Sequence, residues 1–128
     1  MMLIGELARR AGVPPSTVRY YERIGLLPAP PREGGRRLYG EDTVRRLRLI
    51  GFGKRLGFTL RQMKELSRRL ERSTRASTPH SDVLRGAVAR RAAALRVEID
   101  RAHLALSVLE GALECDCESL ESCPVVPA

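Results

Sequence analysis

Residues 4–25 read Ile4-Gly5-Glu6-Leu7-Ala8-Arg9-Arg10-Ala11-Gly12-Val13-Pro14-Pro15-Ser16-Thr17-Val18-Arg19-Tyr20-Tyr21-Glu22-Arg23-Ile24-Gly25, and this stretch decides the fold. Ile4, Leu7, Ala8 and Ala11 fall at i, i+3, i+4 and i+7, one apolar stripe along a short helix. Gly12 supplies the left-handed residue that ends it. Val13-Pro14-Pro15 restarts the chain, with Pro15 suited to a first helical turn. The next helix, about 16–24, turns Val18, Tyr21 and Ile24 toward the first and presents Ser16, Thr17, Arg19, Tyr20 and Arg23 outward. Two helices around a tight glycine turn, the second polar and cationic near its start, make a helix-turn-helix. In that layout the second helix enters the major groove, where arginine reads guanine and hydroxyls hold phosphates.

Working outward, Gly25-Leu26-Leu27-Pro28 stops the second helix, and Pro28, Pro30, Pro31, Gly34 and Gly35 forbid another. Arg36-Arg37-Leu38-Tyr39 is then a short β-capable stretch at the tip of a proline–glycine loop. Beside a recognition helix such a loop is a wing that clamps the DNA backbone. A helix over 42–54 is expected to bury Val44, Leu47, Leu49, Ile50 and Phe52. Thr59 and Gln62 form a capping box that opens a further helix to about Leu70, with Leu60, Met63, Leu66 and Leu70 inward.

Charge divides the chain. Residues 1–72 carry 17 basic and 7 acidic side chains, net +10, whereas residues 73–128 carry 6 and 8, net −2, giving +8 overall. A basic front and a faintly acidic rear imply a polyanion bound at one end. No apolar run approaches the ~20 residues that span a bilayer, and Glu6, Arg9 and Arg10 break any signal-peptide pattern. A cytoplasmic protein without a membrane partner is expected. Paired catalytic carboxylates, a phosphate-cradling glycine loop and a spaced Cys–His dyad are all missing, so an enzyme is not expected.

The stretches Ile4-Gly5-Glu6-Leu7-Ala8, Val18-Arg19-Tyr20-Tyr21-Glu22, Gly25-Leu26-Leu27, Arg37-Leu38-Tyr39 and Leu56-Gly57-Phe58-Thr59-Leu60 resemble the MerR family of bacterial transcription regulators over residues 3–70. By that resemblance, Arg19 and Tyr20 on the recognition helix and Arg37 and Tyr39 in the wing contact DNA. Ser16, Thr17 and Arg36 join them from the reading of the two elements. Pro14 departs from the family's usual polar N-cap, since it has no side-chain oxygen to offer the helix.

Behind the head, residues 73–81 read as a linker ending near Pro79, and Ser81 or Asp82 caps a helix over 82–114. Its apolar positions Val88, Ala92, Leu95, Ile99, Ala102, Leu106, Leu109 and Leu113 are spaced 4, 3, 4, 3, 4, 3, 4. That is an unbroken heptad seam, narrower than the stripe of a helix lying on its own domain. The resemblance implies an antiparallel pairing with a second copy. The expected class is therefore mainly α: a winged helix-turn-helix DNA-binding domain at 1–72 and a long antiparallel coiled-coil dimerisation helix, in a homodimer.

Residues 115–128 form a terminal loop with all three cysteines, Cys115, Cys117 and Cys123. Three thiols in nine residues of an intracellular chain favour metal over disulfides, and soft thiolates select Cu(I), Hg(II), Zn(II) or iron–sulfur clusters. Carboxylates at Glu114, Asp116, Glu118 and Glu121 are expected to raise the thiol pKa values. Cys115 and Cys123, with seven residues between them and followed by Pro124, resemble the pair of the family's copper- and gold-responsive branch. Its zinc, cadmium and mercury sensors place a third cysteine, donated across the dimer, where this chain has Ser81. Cys117 restores a three-sulfur site for mercury. An iron–sulfur redox sensor or a zinc/cadmium sensor is the alternative; the cluster needs four thiolates, and the first falls on Ala112. The resemblance implies a promoter whose elements are spaced too far apart, untwisted for RNA polymerase when a thiophilic ion, Cu(I) or Hg(II) before Zn(II), binds the loop.

Overall fold

The computed structural model describes residues 1–125; the last three positions of the expected cysteine loop, Val126, Pro127 and Ala128, lie outside the described residues. Five helices and one small hairpin follow in the order α1 (Ile4–Ala11), α2 (Pro15–Arg23), β1 (Arg32–Glu33), β2 (Arg36–Arg37), α3 (Glu41–Arg55), α4 (Leu60–Arg75) and α5 (His80–Leu113). Contacts divide the chain into two units, Met1–Ala87 and Val88–Ala128. The mainly helical class is as expected.

In the first unit, α1 ends on Gly12 at φ 72°, a left-handed turn that glycine adopts without a Cβ clash. Pro14 stands at the N-cap of α2 without a side-chain hydrogen bond, and Pro15 occupies its first turn. Leu7 and Ala8 from α1 and Val18 and Tyr21 from α2 meet Val44, Leu47 and Ile50 of α3, with Leu26, Leu27, Met2 and Tyr39 closing the core. Each such side chain withdrawn from water contributes roughly 1.5–3 kcal/mol. Leu7 and Leu47 are sealed on all sides, so truncating either to alanine costs about 2–5 kcal/mol through the cavity left behind.

The wing is shorter than its sequence span. Arg32 pairs with Arg37 and Glu33 with Arg36 in an antiparallel register, joined by Gly34 and Gly35 at φ 58° and 79°. Two consecutive left-handed residues make the primed hairpin turn whose twist matches its strands. Beyond it, the backbones of Met2 and Tyr39 exchange two hydrogen bonds of 2.8 Å, which tie the N-terminal segment to the base of the wing.

Two expectations about α3 are corrected. Leu49 and Phe52 are not buried; Phe52 is 53% exposed, with the Arg55 guanidinium over its ring. At about 100° per residue, Val44, Leu47 and Ile50 share one face, whereas Leu49, Phe52 and Leu56 lie on the opposite one. The capping box is present: Thr59 accepts from the Gln62 amide while the Gln62 side chain accepts from that of Thr59.

The linker is also shorter than 73–81. Helix α4 continues to Arg75 because Ser73 and Thr74 donate their hydroxyls to the Leu70 carbonyl inside the helix, and Ser73 is buried. The break falls at 76–79, where Ser77 takes φ 57° and Pro79 precedes α5. Helix α5, which runs into the second unit, has no buried residue, and its heptad positions Val88, Ile99, Leu106, Leu109 and Leu113 are exposed. None of the helices is long and apolar enough to cross a membrane.

Candidate nucleic-acid interface and metal centre

Arg19 projects from α2 into a shallow groove of about 540 Å³ that it shares with Leu3, Ile4, Arg32, Gly35, Arg36 and Arg37. Four guanidiniums from one helix and both strands of a hairpin converge there, the groove being lined otherwise by Leu3, Ile4 and Gly35. Ser16, Arg19 and Tyr20 are exposed on α2, Thr17 is half-buried, and Arg36 is exposed on β2. The geometry therefore brings Arg19, Arg36 and Arg37 together, as a clamp on a polyanion requires.

Tyr39 does not belong to that surface. Only 2% of it is exposed, and its hydroxyl donates to the Glu22 carboxylate. Burial, then the hydrogen bond and charge of Glu22, push the phenol up to about 12. Arg37 is held on the same carboxylate, its Nη1 2.9 Å from Glu22 Oε2. Tyr39, expected among the DNA contacts, is thus held inside and fastens the wing to α2, because a phenol in a core needs a partner and Glu22 supplies one.

A second groove, of about 450 Å³, lies between α2 and α4, lined by Tyr20, Ile24, Leu60, Arg61, Lys64, Glu65 and Arg68. Arg23 stacks over the Tyr20 ring at 5.5 Å. The sequence analysis did not single out Arg32, Arg61, Lys64 or Arg68. The 3-and-4 spacing of Arg61, Lys64 and Arg68 on one helix face was the available signal.

In the loop after α5, the three thiol sulfurs lie within 4.8 Å of one another. Cys115 Sγ is 2.6 Å from Cys117 Sγ and 3.8 Å from Cys123 Sγ. Local backbone geometry gathers them. The Cys117 amide donates to Cys115 Sγ, and a turn closed by Ser122 Oγ on the Ser119 carbonyl at 3.1 Å carries the chain back to Cys123. Hydrogen bonds from Cys115 and then Cys123 push the Cys117 thiol up to about 12. The carboxylates expected to do this are not the cause; the neighbouring thiols are.

Three soft donors with little else between them suit a thiophilic ion. Metal–sulfur bonds of about 2.3 Å place neighbouring ligand sulfurs roughly 4 Å apart, which the Cys115–Cys123 pair already approaches. A [2Fe–2S] cluster takes four ligands, one more than the cysteines of a chain provide.

The family model described as MerR HTH family regulatory protein matches residues 2–70, and a second, described as MerR, DNA binding, matches residues 44–112. The chain belongs to the MerR family. MerR proteins are transcription regulators, not enzymes. The chain is 52% identical over 64 residues to a mercuric resistance operon regulatory protein of Bacillus cereus, a match spanning 49% of this chain and 48% of that one, so it covers about half the length of that relative. It is 34% identical over 131 residues to the transcriptional regulator HmrR of Rhizobium leguminosarum bv. viciae, covering 98% of this chain and 95% of that one. Among solved structures it is similar to the transcription regulator PbrR691 of Ralstonia metallidurans CH34 in complex with lead(II), with a TM-score of 0.71, 31% identity, and 98% and 96% of the two chains covered. A MerR helix-turn-helix followed by a long C-terminal helix accounts for α1 to α5.

Proposed function

We propose that this MerR protein is a metal-responsive transcription regulator that holds promoter DNA through its basic head and a thiophilic ion through Cys115, Cys117 and Cys123. The observation that carries the reading is the gathering of three thiols in the loop of a chain whose head belongs to a DNA-binding family. Relatives named for mercury resistance and a similar structure solved with lead(II) support it.

The DNA contacts follow from exposure and charge. Arg19 and Tyr20 reach base edges from α2, Ser16 and Thr17 hold phosphates at its start, and Arg36 grips the backbone from the wing. Arg37 contributes with the part of its guanidinium that Glu22 leaves uncovered. The exposed heptad seam of α5 pairs with a second copy, antiparallel, because apolar side chains at 3-and-4 spacing need a matching partner. At ~1.5 Å per residue a helix of this length is about 50 Å long, enough to carry two heads to successive half-sites on one DNA face.

Cu(I) and Hg(II) are the ions the donor set favours, with Zn(II) behind them. When bound, the ion stabilises one arrangement of the loop over others; it shifts the regulator only by its differential affinity for the two states. The reorganised dimer deforms the promoter spacer so that RNA polymerase engages, the deformation being offset by contacts both heads make.

Transcription in vitro from the protein's own promoter, with and without Hg(II) or Cu(I), tests this. Cys115→Ser or Cys123→Ser is expected to abolish induction and leave operator binding intact. Loss of operator binding in these variants, or a transcript indifferent to every thiophilic ion, overturns the reading.

A further inference from the structure

We infer that Cys115 and Cys117 are the two halves of a reversible disulfide, closed by a hydroperoxide and opened by a dithiol, that switches the loop between a three-thiol and a one-thiol form. The inference rests on the proposed metal response and names a regulation of that site. With the bridge closed, Cys123 is the loop's remaining thiol, a single soft donor for an ion that needs at least two.

Three observations carry it. The first is spacing. The Cys115 and Cys117 sulfurs stand 2.6 Å apart, so a disulfide of about 2.05 Å requires them to approach by roughly half an ångström. Cys115 and Cys123, 3.8 Å apart, would have to move roughly three times as far for the same bond. The second is local hold: the Cys117 amide donates to Cys115 Sγ at 3.4 Å, which folds the two residues onto each other within one chain. The third is access. All three cysteines are unbridged, with Cys117 exposed and Cys115 half-buried. Glu114, Asp116, Glu118 and Glu121 flank them in sequence; their charge repels anionic oxidants such as glutathione disulfide and leaves an uncharged hydroperoxide as the oxidant. A bridge between residues two apart closes a small, strained and exposed ring, the kind of disulfide that is readily reduced again.

The chemistry balances in two steps. Cys115 Sγ attacks one oxygen of hydrogen peroxide; the S–O bond forms, the O–O bond breaks, and the thiol proton leaves with the departing hydroxide as water. Cys117 Sγ then attacks the sulfur of this sulfenic acid. The S–S bond forms, the S–O bond breaks, and the hydroxide takes the Cys117 proton. Two thiols are oxidised and one peroxide is reduced to two waters.

The test treats the full-length, reduced, metal-free protein with one equivalent of hydrogen peroxide per chain and caps the remaining thiols with iodoacetamide. Mass spectrometry after cleavage at Glu118 and Glu121 separates Cys123 from the other two. An intrachain Cys115–Cys117 bridge is expected, with one capped thiol, on Cys123, and Cys123→Ser is expected to form the same bridge. Hg(II) uptake in competition with EDTA is expected to be lost, and to return after reduction by dithiothreitol and its removal. Three capped thiols, a bridge to Cys123 or between chains, or oxidised protein that takes up Hg(II) as the reduced protein does overturns the inference. A bridge that forms in a protein taking up no Hg(II) even when reduced overturns the metal reading and leaves the bridge standing.

Discussion

The Tyr39 phenol donates its hydrogen bond to Glu22, so the base of the wing is fastened to α2 by a single carboxylate. Arg37 shares that carboxylate. One acidic side chain thereby fixes the angle between the two parts that must grip DNA together. Tyr39→Phe leaves the ring in place and removes the bond, with an expected loss of about 1–2 kcal/mol in head stability. Glu22→Gln keeps the size of the side chain but weakens its hold on Arg37, and operator affinity is expected to fall even though the Glu22 side chain is nearly buried. Chemical denaturation and gel shifts on the two variants check this.

The same phenol gives a pH signature. Its folded pKa, about 12, lies above the ordinary tyrosine value of 10, so the folded state favours the protonated phenol. Its contribution is complete below pH 10 and lost as pH rises toward 12. Wild-type stability is expected to decline across that window, and the decline to flatten in Tyr39→Phe, as followed by unfolding midpoints at several alkaline pH values.

At the acid end, the hydrogen bond from Arg10 holds the Glu41 carboxyl below its usual range. The pair joins α1 to the start of α3, with Arg10 Nη2 2.7 Å from Glu41 Oε2. A depressed carboxylate stabilises the fold above its ordinary pKa and loses that contribution as pH falls through the lowered one. Glu41→Gln is expected to make the head less sensitive to acid and to salt, the second because both side chains are exposed and screened. Unfolding midpoints between pH 3 and 7 at two ionic strengths decide it.

Arg19→Ala is expected to cost about 1–3 kcal/mol on the operator and to relax specificity at one base position, whereas Arg36→Ala weakens all sequences alike and lowers the salt slope by about one. Binding isotherms on operator and scrambled DNA across a salt series separate the two. Equal losses on both DNAs for Arg19→Ala make it a phosphate contact.

Ile99→Asp places a charge in the middle of the α5 seam. A dimer held by that seam dissociates, and sedimentation is expected to show the monomer with the head still folded, because no core residue of the head lies on that part of α5.

The head was legible because its punctuation is strong. Gly12, Pro15 and the Thr59–Gln62 box each admit few backbone solutions, and the structure adopts the expected one at all three; Gly34-Gly35 excludes a helix as expected but also forms the hairpin turn, which was not foreseen. The errors fall where one pattern serves two purposes. Helix α3 carries two apolar stripes, and listing Leu49 and Phe52 with Val44 and Leu47 merged opposite faces into one. Serine and threonine at 73–74 read as linker because their propensity is poor, yet bonding to the Leu70 carbonyl keeps them helical. Tyr39 stands among the expected DNA contacts by resemblance alone; only the fold reveals that its hydroxyl lies on Glu22. The three cysteines were legible as a set, but not the turn at Ser119–Ser122 that gathers them.

That turn has a consequence for how such a regulator performs in a cell. Because its sulfurs are collected by hydrogen bonds within nine residues of one loop, any thiophilic agent meets all three on one polypeptide, whether or not a second copy is paired with it.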